Sequence, residues 1–195
     1  MNFSENISKD DIALLPKAVY KGRIEVIRNV SDLSNWMPIL LKQKIIGFDT
    51  ETKPSFKKGE KNTISLLQLA TSDLALLVKL KEVGLPDDLV KFFEDPTILK
   101  IGAATRDDIK SLQKIRVFKP LGFVDLQSMV SDYGIESLSV RKMAAIVLGQ
   151  KVSKSQQLSN WDLPILSEAQ KQYAAIDAWA CREIYLKLIT SKISK

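Results

Sequence analysis

The chain has 195 residues, 45% hydrophobic and 27% charged, and its 29 Lys and Arg against 23 Asp and Glu leave a net charge of +6. That size fits one domain with a short appendage, and the apolar fraction excludes a disordered tail. Histidine is absent and Cys181 is the single cysteine, which excludes Ser-His-Asp and Cys-His catalysis, His-ligated zinc, a His general base and an internal disulfide.

Residues 1–21 read as a polar N-terminal extension with a short helix after Ser8. Their mixed charges and lack of a long apolar core resemble neither a signal nor a transit peptide, and a cytoplasmic location is expected. No apolar run approaches a membrane span, so no membrane partner is expected. Residues 22–195 are expected to form the main domain. Residues 22–29 alternate and are β-rich, a first strand. Ser31 is placed to cap a helix through Leu41, with Leu33, Trp36, Met37 and Leu40 at helical spacing. Residues 44–51 are an apolar run ending in polar residues, a buried strand. Residues 53–62, with Pro54, Gly59 and four lysines, form a loop. Strands 64–70 and 74–80 follow, joined by the turn Thr71-Ser72-Asp73. The pattern then alternates: helix 87–93, strand 98–103, helix 107–115, strand 123–125, and helices 126–133, 138–148 and 167–193. Consecutive strands followed by βα units predict an α/β protein with a mixed sheet.

The acidic residues fall at telling places in this layout. On a strand, Asp49 and Glu51 share one face, while Phe48 and Thr50 share the other. Two carboxylates side by side at a strand end repel unless a cation sits between them, and a divalent ion is a natural one. Strand C-terminal ends host ligand sites in α/β sheets. In the run Lys100-Ile-Gly-Ala-Ala-Thr-Arg-Asp-Asp108, a strand enters a helix that opens on two aspartates. Asp108 lies one turn before Leu112, toward the buried face, and suits a site; Asp107 suits a cap. Tyr173 and Asp177 stand four residues apart on the last helix, among Ala174, Ala175 and Ala178, which permit close backbone approach. Cys181 reads as a small buried hydrophobe, and Trp161 and Trp179 as core aromatics. Lys57, Lys58 and Lys61 in the loop, and Arg106 beside Asp108, are positioned to meet phosphates or to remain solvated charges.

Taken together, Gly47-Phe-Asp-Thr-Glu-Thr52, Ile64-Ser-Leu-Leu-Gln-Leu69, Lys100-Ile-Gly102 before Asp108, and Leu158-Ser-Asn-Trp161 through Gln170 to Tyr173-Ala-Ala-Ile-Asp-Ala178 resemble the DEDD superfamily of 3′–5′ exonucleases. The match is to the branch whose last motif is Tyr-x-x-x-Asp, especially Werner-type exonuclease domains and, more loosely, ribonuclease D. It spans most of the chain. The resemblance implies a ribonuclease H-like fold, a mixed sheet flanked by helices. It also implies two divalent cations, Mg²⁺ or Mn²⁺, with Asp49 on both, Glu51 and Asp177 on one, and Asp108 supporting the other. Tyr173 would orient the attacking water. The sister branch uses His-x-x-x-x-Asp, which a chain without histidine cannot supply. The implied reaction releases nucleoside 5′-monophosphates from single-stranded 3′ ends of DNA or RNA. The competing readings are a catalytically silent nucleic-acid-binding or scaffold domain on the same fold, and another ribonuclease H-like phosphoesterase. Four retained acids and a retained tyrosine speak against the first, and the Tyr-x-x-x-Asp motif against the second.

Overall fold

Six strands build one mixed sheet in the computed structural model, which describes residues 3–54 and 63–193. They are β1 (Arg23–Ile27), β2 (Ile45–Thr52), β3 (Ile64–Ala70), β4 (Leu74–Lys79), β5 (Leu99–Gly102) and β6 (Phe123–Asp125), in the spatial order β1-β4-β3-β2-β5-β6. β3 runs antiparallel to both of its neighbours, and every other pair is parallel. Every residue of β3 and β4 is buried, mostly apolar side chains with Ser65, Gln68 and Lys79 among them, the pattern of strands covered on two sides.

The helices are α1 (Lys9–Leu14), α2 (Val30–Leu40), α3 (Leu80–Val83), α4 (Asp87–Glu94), α5 (Thr105–Gln113), α6 (Leu126–Met129), α7 (Val140–Leu148) and α8 (Glu168–Ile193), with a 3-10 turn at Val130–Tyr133. On one face, Leu33, Met37, Leu89, Phe92, Phe93 and Leu112 from α2, α4 and α5 pack on Phe48, Leu67, Leu69 and Leu76. On the other face, α7 and α8 cover Ala70, Ala75 and Ile101, while Trp161 and Ala174 pack on Leu66 and Leu77. The lead-in joins this second core through Ala18 and Tyr20, Ile12 is buried as well, and Lys17 forms an isolated parallel bridge with Lys151.

Two cap assignments differ from the sequence expectation. Asn29, not Ser31, caps α2, accepting from Asp32 N at 2.8 Å. Asp107 does not cap α5; it is exposed and pairs with Lys110 at 3.5 Å. Asp125 at the end of β6 does that work, accepting from the backbone N–H groups of Ala104 and Thr105 at 3.0 Å each and from Gln127 N at 2.9 Å. One carboxylate thereby satisfies the starts of two helices.

The start of α8 is set by a reciprocal capping pair. Ser167 Oγ accepts from Gln170 N at 3.2 Å, and Ser167 N donates to Gln170 Oε1 at 3.0 Å. Gln170 also donates to Asn160 O at 3.3 Å, tying the helix to the segment that carries Trp161. Further along, α8 crosses β2 at Gly47, where an added Cβ would fall 1.9 Å from Ala178 O. Only glycine lets helix and strand approach this closely, and the crossing brings Asp177 to Asp49.

Candidate active site

β2 ends at the site. Its alternation directs Asp49 and Glu51 to the face covered by α8, and the register with β3 shifts between Glu51 and Thr52, an irregularity of the kind found beside functional sites. Asp177 descends from α8. Asp49, Glu51 and Asp177 each bring a carboxylate oxygen into one cluster whose members all lie within 4.8 Å of one another. Asp108 arrives from the opposite layer. It sits on α5, on the Phe48 side of the sheet, and accepts a 2.6 Å hydrogen bond from Thr50 Oγ1. Thr50 indeed faces away from Asp49 and Glu51, and by doing so it anchors the fourth acid beside the other three.

Tyr173 stands one turn before Asp177 and donates its hydroxyl hydrogen bond to that carboxylate. Its ring lies against the fully buried Trp161, with centroids 5.9 Å apart. Lys79 Nζ holds Trp161 in turn, donating to Trp161 O at 2.7 Å and Leu163 O at 2.9 Å. A series of packed and hydrogen-bonded groups starting at β4 thus fixes the tyrosine.

The electrostatics follow from burial and crowding. Burial, then the carboxylates of Asp177, Asp108 and Glu51, push Asp49 well above the usual carboxylate range. Burial, with Asp177 and Asp108, lifts Glu51 to about 8. Burial lifts Asp177 to about 7 against the hydrogen bond from Tyr173. Asp108 is lifted to about 6 by burial, with Thr50 opposing and Asp107 and Asp125 adding. Tyr173 is raised by burial and by the adjacent acids, so its hydroxyl stays protonated at neutral pH. Three close, partly buried, oxygen-only ligands that resist ionisation on their own suit a hard divalent cation, which would supply the missing positive charge.

A cleft of about 300 Å³ opens over this cluster. Asp49, Glu51, Tyr173 and Asp177 form one side, and Ser139, Arg141, Lys154 and Gln157 the other. These last four were not singled out from the sequence. Arg141 in the first turn of a helix looks like any surface arginine, and only the packing of α7 beside α8 turns it inward. Arg106 is exposed on α5 and does not line this cleft. Lys57, Lys58 and Lys61 lie outside the described residues.

The sheet with its helical layers is the ribonuclease H-like arrangement of solved exonuclease domains. The exonuclease domain of Nibbler from Aedes aegypti superimposes with a TM-score of 0.80 at 25% identity, covering 91% of this chain and 93% of that one. A family model described as 3′–5′ exonuclease matches residues 24–191, and the chain belongs to this family of nucleases. Among curated relatives, a 3′–5′ exonuclease-family protein of Acanthamoeba polyphaga mimivirus is 31% identical over 97% of this chain and 55% of its own length. The bifunctional 3′–5′ exonuclease/ATP-dependent helicase WRN of Mus musculus is 31% identical over 74% of this chain and 11% of its own. The chain therefore spans about half or less of the length of these relatives.

Proposed function

We propose that the chain is a metal-dependent exonuclease that removes nucleotides one at a time from single-stranded 3′ ends of DNA or RNA, releasing nucleoside 5′-monophosphates. The observation that carries this reading is the convergence of Asp49, Glu51 and Asp177 within 4.8 Å, with Tyr173 beside them in an open cleft and Asp108 held behind them by Thr50. Membership of the 3′–5′ exonuclease family supports it.

Asp49, Glu51 and Asp177 would hold one divalent cation, and Asp49 with Asp108 a second, Mg²⁺ or Mn²⁺ in either place. When bound, such a pair neutralises charge on the transferred phosphoryl group and eases deprotonation of water, a task for which a chain without histidine has no imidazole. Tyr173 orients the attacking water through its hydroxyl, kept protonated by burial and by its acidic surroundings. The water oxygen bonds to phosphorus and the bond from phosphorus to the 3′ oxygen breaks. The departing strand takes up a proton as its new 3′ hydroxyl. Thr50 keeps Asp108 aimed at the site, and Trp161 keeps the tyrosine ring in place.

The test uses 5′-labelled single-stranded DNA and RNA with Mg²⁺ or Mn²⁺. A ladder that shortens from the 3′ end, stops with EDTA and is absent with Asp49→Asn is expected. Binding without shortening would instead make the chain a silent nucleic-acid-binding domain, and internal cuts would make it an endonuclease.

A further inference from the structure

The cleft over the acids does not end at Arg141. Beyond that side chain a second hollow of about 340 Å³ opens, and Arg141, Ser153 and Lys154 line both. The second hollow is also lined by Lys17 and Lys151, so among the described residues four cationic side chains and no carboxylate surround it. Arg141 Nε is buried with no hydrogen-bond partner among the described residues. Leaving a buried guanidinium N–H unpaired is costly unless an acceptor is supplied from outside. The next residue shows the contrast, because Lys142 Nζ is engaged by Asn6 Oδ1 at 2.7 Å.

The N-terminal segment builds the outer wall of this hollow. Asn6 also accepts from Ser137 Oγ at 2.6 Å, and Glu136 N donates to Glu5 O at 2.9 Å, which fastens the segment ahead of α7. Beyond α7, Ala18 N donates to Lys151 O and Lys151 N to Pro16 O, both at 2.9 Å. Lys151 Nζ donates to Ala13 O at 2.6 Å. Lys17, exposed between these bonds, is thereby held beside the hollow. The result is one groove with an acidic floor at one end and a cationic lining at the other.

Given the exonuclease reading above, we propose that the basic half of this groove carries the sugar-phosphate backbone just upstream of the scissile bond. Arg141 and Lys154 take the phosphate next to the scissile one, and Lys17 takes one further along. A strand whose last phosphate sits over the acids meets cations along this path, and a polyanion is drawn down such a gradient. Interactions of this kind position a strand without reading its bases. The N-terminal segment is thus part of the substrate path, and Arg141 is a positioning residue for longer substrates.

The test compares a dinucleotide, whose one phosphate is the scissile one, with an octanucleotide of the same sugar. Wild type, Arg141→Gln and Lys17→Ala are assayed with Mn²⁺. Each substitution is expected to lower kcat/KM on the octanucleotide about tenfold, mainly through KM, and on the dinucleotide by less than about threefold. The salt dependence on the octanucleotide should flatten by about 0.7 in log–log slope for each phosphate that the variant no longer neutralises. Equal losses on the two substrates, or none on the octanucleotide, overturn the proposal. Lys17 is exposed, so its variant keeps the comparison readable if Arg141→Gln folds poorly. If wild type cleaves neither substrate, the exonuclease reading fails and the groove is judged by binding alone. Fluorescence anisotropy of a labelled octanucleotide on Asp49→Asn protein then decides: weaker binding when Lys17→Ala is added upholds the groove, and unchanged binding overturns it.

Discussion

Asp49 is half-buried and faces the carboxylates of Asp177, Asp108 and Glu51. Asp49→Asn keeps the shape and removes that repulsion, so the metal-free protein should melt at a higher temperature, by about 2–4 °C for each kcal/mol relieved. The same variant should lose the stabilisation that Mn²⁺ gives to wild type; thermal melts with and without Mn²⁺ check both effects. Tyr173→Phe keeps the ring against Trp161 and removes only the hydroxyl. It should lower kcat by about 100-fold while retaining the shift with Mn²⁺, and full activity would refute the orienting role. Away from the site, Lys100 is buried and donates to Phe92 O at 3.1 Å and Asp95 O at 2.8 Å. Burial lowers its pKa to about 8, against the weaker pull of Asp95. Because the folded value lies below the unfolded one, the unfolded chain binds more protons between them. Stability from this group therefore rises from about pH 8 toward about 10.4 and is absent below that window. Urea unfolding of wild type and Lys100→Met across this range should show the slope in wild type and its loss in the variant.

The crossing of α8 over β2 depends on a single hydrogen atom at Gly47. Gly47→Ala forces a Cβ against Ala178 O, and a cost of about 1–3 kcal/mol or more is expected in chemical unfolding, with activity lost as Asp177 moves. Much of this element-level design is legible from local sequence. β2, β3 and β4 announce themselves as apolar runs because they are covered on both faces. The beginning of α8 is visible because Ser167 and Gln170 satisfy each other within one turn. Asp49, Glu51, Tyr173 and Asp177 are legible as pairs because strand and helix periodicity alone decides which face each pair shares. Interactions between layers are not legible. Thr50 reaches Asp108 across 58 positions, and Asp125 caps α5 from about 20 residues downstream; nothing local at Thr50 or Asp107 signals either. Arg141 and Lys154 belong to the same class, since their places at the cleft follow from how α7 and the segment after it pack and not from any spacing.

At the scale of the molecule, a net charge of +6 coexists with four carboxylates gathered at one strand end. On the metal-dependent reading proposed above, such a protein is more stable with a divalent cation than without. A ligand at 100 times its dissociation constant adds about 2.7 kcal/mol, so EDTA should lower the melting temperature of protein prepared with Mn²⁺. The lead-in is part of the same folded unit, because Ile12, Ala18 and Tyr20 are buried; deleting residues 1–21 should reduce both stability and Mn²⁺-dependent activity. The measurement that tests the central claim most directly is the rate of nucleoside 5′-monophosphate release from the 3′ end of a single strand, titrated with Mn²⁺, for wild type and for Asp49→Asn shown by its metal-free melt to be folded. The acid cluster as the catalytic centre predicts a saturable, EDTA-reversible rate in wild type and a loss of at least about 1,000-fold in the variant. Metal-independent release, or equal rates from the two proteins, would contradict it.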